Sequence, residues 1–267
     1  MTFSFRLLPD QGLGRTDMMQ CYRFADKTIS LCTLYPEIHT LCADYRAEGA
    51  AVFSVETTRA DIAFEREKSA REARAEGKAV RAFSDAYLET LAVYRKIAEK
   101  KPDYDTLLFH GSCVAVDGAA YCFTAKSGTG KSTHTRLWRE MLGERVMMIN
   151  DDKPLIRIRD GKATVFGTPW DGKHHLSANR AAPLKAICIL ERSAYNHIEP
   201  VTAAEAYPLL LRQAYRPADP AALGKTLALL DRLAASVKLY RLGCNMDPGA
   251  AELSYGVMKE GKTNETE

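Results

Sequence analysis

The sequence lacks a Cys-x-x-Cys pair, an apolar run long enough to cross a membrane, and a large excess of charge of either sign. Its seven cysteines are scattered and mostly lie in apolar runs, which favours reduced, buried thiols over disulfides or zinc ligands. The formal net charge is +3 and no basic stripe with interleaved aromatic residues is present, so nucleic acid is not predicted as a partner. Without an N-terminal signal or a spanning segment, we expect a cytoplasmic protein with no membrane partner.

The chain of 267 residues is long enough for one large domain or two smaller ones. Alternating residues from Phe3 and apolar runs at 29–32 and 52–55 predict a small sheet. The charge-dense stretch 58–78 predicts a solvated helix or a flexible connection, and the next segment has the apolar spacing of a helix that ends before Pro102. We therefore predict three parts: an N-terminal α+β region over 1–100, a second domain over 101–260 and a disordered tail over 261–267.

The most informative stretch is Ala-Lys-Ser-Gly-Thr-Gly-Lys-Ser at 125–132, which has the spacing of a phosphate-binding loop with alanine at its first position. An apolar run precedes it and an amphipathic pattern follows, as the strand-loop-helix context of such a loop requires. Backbone N–H groups and the positive end of the helix dipole would surround the phosphates of a nucleoside triphosphate such as ATP. Lys131 is expected to reach the β and γ oxygens and Ser132 to ligate Mg²⁺. The predicted nucleotide-binding residues are Ser127, Gly128, Thr129, Gly130, Lys131, Ser132 and Thr133.

Two Asp-Gly pairs, at 117–118 and 160–161, lie between apolar runs and predict tight β-hairpins. A capping box, Thr202-x-x-Glu205, predicts a helix that continues through Tyr215. Further strands are predicted over 146–149, 184–190 and 239–242. Hairpins on either side of a phosphate-loop unit differ from the continuous alternation of a doubly wound sheet, so a mixed α/β core is expected.

Adjacent carboxylates follow one predicted strand, at Asn150-Asp151-Asp152. Beside a phosphate loop, one carboxylate could hold the metal and the other could take a proton, because phosphoryl transfer to an alcohol needs both tasks. The alternative is an Asp-rich turn with no chemistry. His110 follows another apolar run, and if it lies against Asp151 it could tune the proton transfer.

The segment from Phe166 to His175 combines two glycines, a proline, Trp170 and three potential cations. Such a loop could wrap an anionic ligand, and Lys173 could neutralise a transferring phosphate. Trp170 is at least as compatible with a core anchor as with substrate stacking. The adjacent His174 and His175 are not predicted to bind metal, because neighbouring residues on a strand point apart.

Together, His110-Gly111, the loop Ser127-Gly-Thr-Gly-Lys-Ser-Thr133 and Asn150-Asp151-Asp152 resemble the HPr kinase/phosphorylase family, which shares its nucleotide-binding core with ATP-dependent phosphoenolpyruvate carboxykinase. The resemblance covers roughly residues 104–191. It implies a phosphate-loop kinase core of mixed α/β type with a smaller α+β N-terminal region. It also implies these roles: Asp151 as acid/base, His110 as its assistant, Lys131 on phosphate, and Ser132 with Asp152 on Mg²⁺.

The Glu-x-Arg-Gly stretch that accompanies phosphorylase activity in that family is absent here, so HPr is not predicted as the acceptor. The leading hypothesis is an ATP-dependent kinase with Asp151, His110, Lys131 and Lys173 as its catalytic residues. Its acceptor would be a serine-like hydroxyl on a peptide, small protein or metabolite, and a homo-oligomer is compatible with the sequence. The alternatives are a non-catalytic nucleotide-binding regulatory module and a compact carboxykinase-like enzyme.

Overall fold

The computed structural model describes residues 19–260, apart from the side chain of Lys173. The alternation from Phe3 and the tail predicted over 261–267 lie outside the described residues. The described chain forms two compact units, of which one comprises residues 19–23 and 27–93 and the other residues 24–26 and 94–260. Within residues 19–260, no helix is both long enough and apolar enough to cross a membrane.

The first unit contains the small sheet that the sequence predicts, with strand order β1-β2-β3. Its elements are β1 (Met19–Phe24), β2 (Lys27–Cys32), α1 (Glu37–Leu41), β3 (Ser54–Glu56) and α2 (Arg59–Ala75). Helix α2 occupies the charge-dense stretch and buries only Ile62 and Glu65, so it is the solvated helix of that prediction. It begins with a capping box in which the Thr58 hydroxyl accepts a hydrogen bond from the Asp61 N–H.

Helix α3 (Asp85–Lys100) ends before Pro102, as its apolar spacing predicts. The elements that follow it belong to the second unit: β4 (Thr106–Leu108), β5 (Ser112–Val116), β6 (Ala119–Thr124), α4 (Lys131–Leu142), β7 (Val146–Asn150), β8 (Leu155–Arg159), β9 (Lys162–Phe166), β10 (Ala181–Arg192), β11 (His197–Pro200), α5 (Ala203–Gln213), α6 (Pro220–Ser236), β12 (Lys238–Cys244) and α7 (Gly249–Glu260). Nine strands form one mixed sheet in the order β4-β8-β9-β10-β6-β5-β7, while β12 pairs with β10 and β11 pairs with β12.

Both Asp-Gly hairpins are confirmed, because β5 pairs antiparallel with β6 and β8 with β9. At the first turn, Asp117 and Gly118 have φ angles of 50° and 83°. This left-handed geometry suits the twist of a two-residue hairpin.

Alternate residues of the central strands enter two apolar layers. Cys122, Ile187 and Ile189 lie in one layer, which also contains apolar residues of α5 and α6. Phe123 and Cys188 lie in the opposite layer with residues of α4 and α7. Helices therefore cover both faces of this sheet, which is the mixed α/β architecture that the sequence predicts.

Several predicted boundaries differ from the structure; β10, for example, spans Ala181–Arg192 where 184–190 was predicted, and β12 spans Lys238–Cys244 where 239–242 was predicted. Helix α5 ends at Gln213 rather than Tyr215, because Ala214 is extended and forms an isolated β-bridge with Phe109. Pairing outside the helix therefore overrides the helical pattern of the sequence at this point. Strand β3 begins at Ser54 rather than at residue 52, and the strands β1 and β11 were not predicted.

Candidate functional site

Strand directions bring the candidate residues to one edge of the large sheet. Strand β10 runs parallel to β6 and to β12, while β5 is antiparallel to both β6 and β7. The carboxyl ends of β6, β7, β10 and β12 therefore lie at the edge where β5 begins. The phosphate loop leaves β6 there, Asp151 follows β7, and Ser112 starts β5.

The loop 125–130 connects β6 to the first turn of α4, so the strand-loop-helix context predicted around it is present. Gly128 and Gly130 have φ angles of 79° and 125°, in the left-handed region that glycine adopts without strain. Gly130 is the N-cap residue of α4 and makes no side-chain capping bond. The N–H groups of the first turn are thus left for an anion at the positive end of the helix.

Lys131 is largely buried at the start of α4, and its Nζ donates to the carbonyl oxygen of Ala125 at 3.2 Å. Burial lowers its pKa, and the charge of Lys153 adds to that effect, whereas the negative charges of Asp152 and Asp151 oppose it. The loop therefore encloses the ammonium group of Lys131, whose one hydrogen bond among the described residues is to the backbone carbonyl of Ala125. Phosphate oxygens offer such a group stronger, charge-assisted hydrogen bonds.

Asn150 is fully buried and organises the turn that carries the two aspartates. Its Oδ1 accepts from the N–H groups of Asp152 (2.8 Å) and Lys153 (2.6 Å). Its Nδ2 donates to the carbonyl oxygen of Thr168 at 2.9 Å and lies 3.1 Å from the Thr168 hydroxyl. The Asp-rich turn is therefore held from both sides, and one amide fixes the backbone that carries both carboxylates.

Asp151 is buried beside the first turn of α4. The Ser112 hydroxyl donates to its Oδ1 at 2.6 Å and lies 2.9 Å from the Thr135 hydroxyl. Burial raises the pKa of Asp151 above its ordinary value, although hydrogen bonds from Ser112 and Ser132 lower it in part. Among the two neighbouring carboxylates, Asp151 is thus the stronger base.

Asp152 has the opposite shift. Burial alone would raise its pKa, but the hydrogen bond from His110 and the positive charges of Lys153 and Lys131 hold it below its ordinary value. The Asp152 side chain is about one-third exposed, with its Oδ1 lying 3.3 Å from His110 Nε2. Two adjacent carboxylates with pKa values moved in opposite directions can divide the roles of base and permanent anion.

His110 contacts Asp152 rather than Asp151, which corrects the contact considered from the sequence. The backbone explains the choice, because the Gly111 N–H donates to the Asp152 carbonyl oxygen at 3.1 Å and joins this segment to the second aspartate. On its other side, His110 Nδ1 lies 2.8 Å from Gln213 Oε1. A neutral imidazole carries only one N–H, so His110 cannot donate to both Gln213 Oε1 and Asp152 when it is neutral. Donation to Asp152 through Nε2 therefore requires either an imidazolium or a Gln213 amide turned so that its NH₂ group faces Nδ1.

The segment after Phe166 packs against the aspartate turn. A Cβ at Gly167 would lie 1.9 Å from the carbonyl oxygen of Ala178 and 2.7 Å from that of Ile149, so the glycine serves a close approach within the protein. Trp170 packs against Tyr94 in a tilted geometry with ring centroids 5.4 Å apart, as expected for a packing anchor. The backbone of Lys173 lies in the short 3₁₀ helix Gly172–His174, but its side chain lies outside the described structure.

No group of three or more His, Cys, Asp or Glu side chains within residues 19–260 is arranged to hold a metal ion. His175 instead lies 3.2 Å from Asp171 through its Nδ1. Mg²⁺ prefers few protein oxygens together with substrate phosphates. The hydroxyl of Ser132 and the carboxylate of Asp152 are oxygens of that kind, so the donor chemistry fits the predicted ion; the contact that the Ser132 hydroxyl makes here is with Asp151.

Two polar side chains at this site, Ser112 and Gln213, were not identified from the sequence. Ser112 follows His110 by two residues, and its place at the start of a strand was its only sequence indication. Gln213 is the last residue of α5 and is 103 residues from His110 in the sequence, so no local pattern indicated it.

A scan against known protein families found no match, and a search of curated proteins found none either. A search of solved structures found weak similarity to the Hpr(Ser) kinase/phosphatase from Coxiella burnetii, with a TM-score of 0.26 and 11% identity over 47% of this chain and 90% of that one. A TM-score this low does not establish a shared fold. Membership of the HPr kinase-related family therefore stays a prediction.

Proposed function

We propose that this protein is an ATP-dependent kinase of the HPr kinase-related type, which transfers the γ-phosphoryl group of ATP to a serine-like hydroxyl. One observation carries the proposal: a phosphate-loop backbone with two left-handed glycines, leading into a helix without a side-chain cap, lies at the same end of the sheet as two aspartates. The pKa values of these aspartates are shifted in opposite directions. A non-catalytic nucleotide-binding module would need the phosphate loop, but it would not need two adjacent aspartates with oppositely shifted pKa values. The acceptor would be a peptide, a small protein or a small metabolite.

In the proposed reaction, the acceptor oxygen attacks the γ-phosphorus while the bond from that phosphorus to the β–γ bridging oxygen breaks. ADP leaves with the electrons of the broken bond, and the acceptor proton passes to Asp151. Its raised pKa suits proton acceptance, and the Ser112 hydroxyl holds one of its oxygens in place. Lys131 would leave the Ala125 carbonyl for the β and γ oxygens.

Ser132 and Asp152 would hold Mg²⁺, which supplies charge neutralisation between the β and γ phosphates when bound. His110 and Gln213 would keep Asp152 ionised and correctly turned, and His110 would therefore be a positioning residue. Lys173 remains a proposed phosphate-neutralising residue; its neighbour Gly172 lies beside the aspartate turn, since a Cβ there would lie 3.4 Å from the Asp152 Cβ. Ser127, Gly128, Thr129, Gly130 and Thr133 would surround the phosphates.

The test is phosphorus NMR of the purified protein with Mg²⁺-ATP and a panel of acceptors: free serine, serine peptides, HPr and oxaloacetate. We expect a new phosphoester signal with one acceptor. Asp151→Asn should abolish the signal and keep ATP binding, whereas Lys131→Ala should weaken both. ATP that binds and stays unchanged across the panel would instead favour the regulatory module, and normal turnover by Asp151→Asn would refute the base assignment.

A further inference from the structure

A cavity of about 530 Å³ lies beside the phosphate loop, on the side away from the aspartates. Its walls come from the loop itself, the first turns of α4, and the residues at and after the ends of β10 and β12: Gly128, Gly130, Thr133, Leu137, Arg192 and Asn245 are among them. Neither aspartate and neither Lys131 nor Ser132 lines it. The size falls within the range of about 300–1,000 Å³ that small-molecule sites have.

The order of the strands explains why the loop separates two environments. Strand β6 lies between β5 on one side and β10 on the other, and β12 lies beyond β10. The aspartate site is built from the β5 and β7 side, and the cavity from the β10 and β12 side. Helix α4 divides in the same way, since Thr135 meets Ser112 whereas Thr133 and Leu137 face the cavity.

We infer that this cavity holds the nucleoside, base and ribose, of the donor nucleotide; the inference rests on the proposed function. With the γ-phosphate directed to Asp151, the α-phosphate and its nucleoside must leave the loop on another side. The cavity adjoins the loop at Gly128, Thr129 and Gly130 and is the volume next to it on the β10 side.

The chemistry of the walls suits a nucleoside. Leu137 and Leu190 are buried side chains that offer an apolar surface to a flat base, and Met246, which is 78% exposed, lies at the edge. The Oδ1 of Asn245 accepts a hydrogen bond from the Asp247 N–H and keeps a second lone pair for a ribose hydroxyl or a base N–H. Small-molecule sites characteristically combine such apolar walls with a few placed polar groups.

One further observation agrees with a ligand in this position. Arg192 donates to the carbonyl oxygen of Gly128 at 2.6 Å, so a cation borders both the loop and the cavity. A cation there suits the negative charge of the phosphates that a nucleoside would carry into the loop.

The experiment compares the binding of Mg²⁺-ATP, Mg²⁺-GTP and Mg²⁺-tripolyphosphate to the full chain by isothermal titration calorimetry. Tripolyphosphate offers the phosphates without a nucleoside. We expect at least one nucleotide to bind about tenfold or more tighter than tripolyphosphate, where tenfold corresponds to about 1.4 kcal/mol. Equal affinities would overturn the inference and leave the phosphate site intact.

The matched variants are Ser193→Trp and Ser193→Ala. Ser193 lines the cavity and is half-buried, so an indole there would fill the space, while alanine would leave it open. We expect Ser193→Trp to remove the preference for the nucleotide without changing tripolyphosphate binding, and Ser193→Ala, which leaves the cavity open, to keep a clear preference for the nucleotide over tripolyphosphate. An unchanged preference in a folded Ser193→Trp protein would overturn the inference.

A measurement on the wild type avoids any folding defect of the variant. Cys244 is a half-buried free thiol in the cavity wall, and its alkylation can be followed by mass spectrometry. Nucleotide should slow that alkylation and tripolyphosphate should not; equal protection by both would count against the inference. Failure of the kinase proposal looks different, because the nucleotide preference would persist while no acceptor became phosphorylated.

Discussion

Replacing Asn150 by alanine tests whether one buried amide holds the aspartate turn together. The change removes the acceptor of the Asp152 and Lys153 N–H groups and the donor to Thr168. Asp152 and Lys153 are partly exposed, so water can replace much of what they lose, but Thr168 is fully buried. With about 1–3 kcal/mol for each buried group left unsatisfied, we expect a loss of about 2–4 kcal/mol in the free energy of unfolding.

The assay is urea unfolding followed by tryptophan fluorescence. The two tryptophans, Trp138 and Trp170, both belong to the second unit, so their emission reports the unit that contains the site. Asn150→Asp is the matched control, because it keeps the acceptor for both N–H groups and loses only the donor. It should therefore retain part of the stability that alanine loses.

The same variant has an expected kinetic consequence. If the proposed kinase reaction is correct, loosening the turn should lower kcat by about tenfold or more, since misplacement by about 1 Å can cost about a hundredfold. Asn150→Ala with stability within about 0.5 kcal/mol of the wild type would refute the reasoning about buried hydrogen bonds.

Three further predictions concern other parts of the chain. Gly167→Ala should destabilise the second unit strongly in thermal unfolding, because its Cβ would meet two backbone carbonyl oxygens; Gly224→Ala, in open space within α6, should instead stabilise by up to about 1 kcal/mol. Thr202→Ala should cost about 1 kcal/mol in urea unfolding by removing the cap of α5, whereas Thr202→Ser should be nearly neutral; equal losses would contradict the capping role. In thiol titration with Ellman's reagent, the four buried cysteines should react only on unfolding. Cys42 should be among the least reactive of them, because burial raises the pKa of its thiol to about 12. Rapid reaction of all seven cysteines in the native protein would contradict the buried assignments.

Local sequence signals were sufficient to predict the elements whose ends are marked by turn or capping residues. The Asp-Gly turns, the Thr202 capping box and the strand-loop-helix around residues 125–132 all depend on neighbours in the chain, and each is present. The strand β11 escaped notice because His197–Pro200 is short, mostly exposed and ends in proline.

The arrangement of the site depended on contacts that no local pattern carries. Adjacent carboxylates beside a phosphate loop could be expected to divide their roles, but which of them His110 meets depends on the Gly111 to Asp152 backbone bond. Gln213 reaches His110 only because the end of α5 is drawn into a bridge with Phe109. Sequence patterns thus identified which residue types form the site, whereas contacts between segments far apart in the sequence decided which side chains they bind.

The position of β6 between β5 and β10 has a consequence for the order in which the chain folds. The β5–β6 hairpin joins neighbours in sequence and can close within microseconds. The β6–β10 pairing joins Thr124 to Ile189 and must wait for a much longer segment to be ordered. During synthesis, or in any fragment that ends before residue 181, β6 would present an apolar unpaired edge, and such edges are templates for aggregation. Truncations intended to isolate the phosphate loop should therefore retain β10.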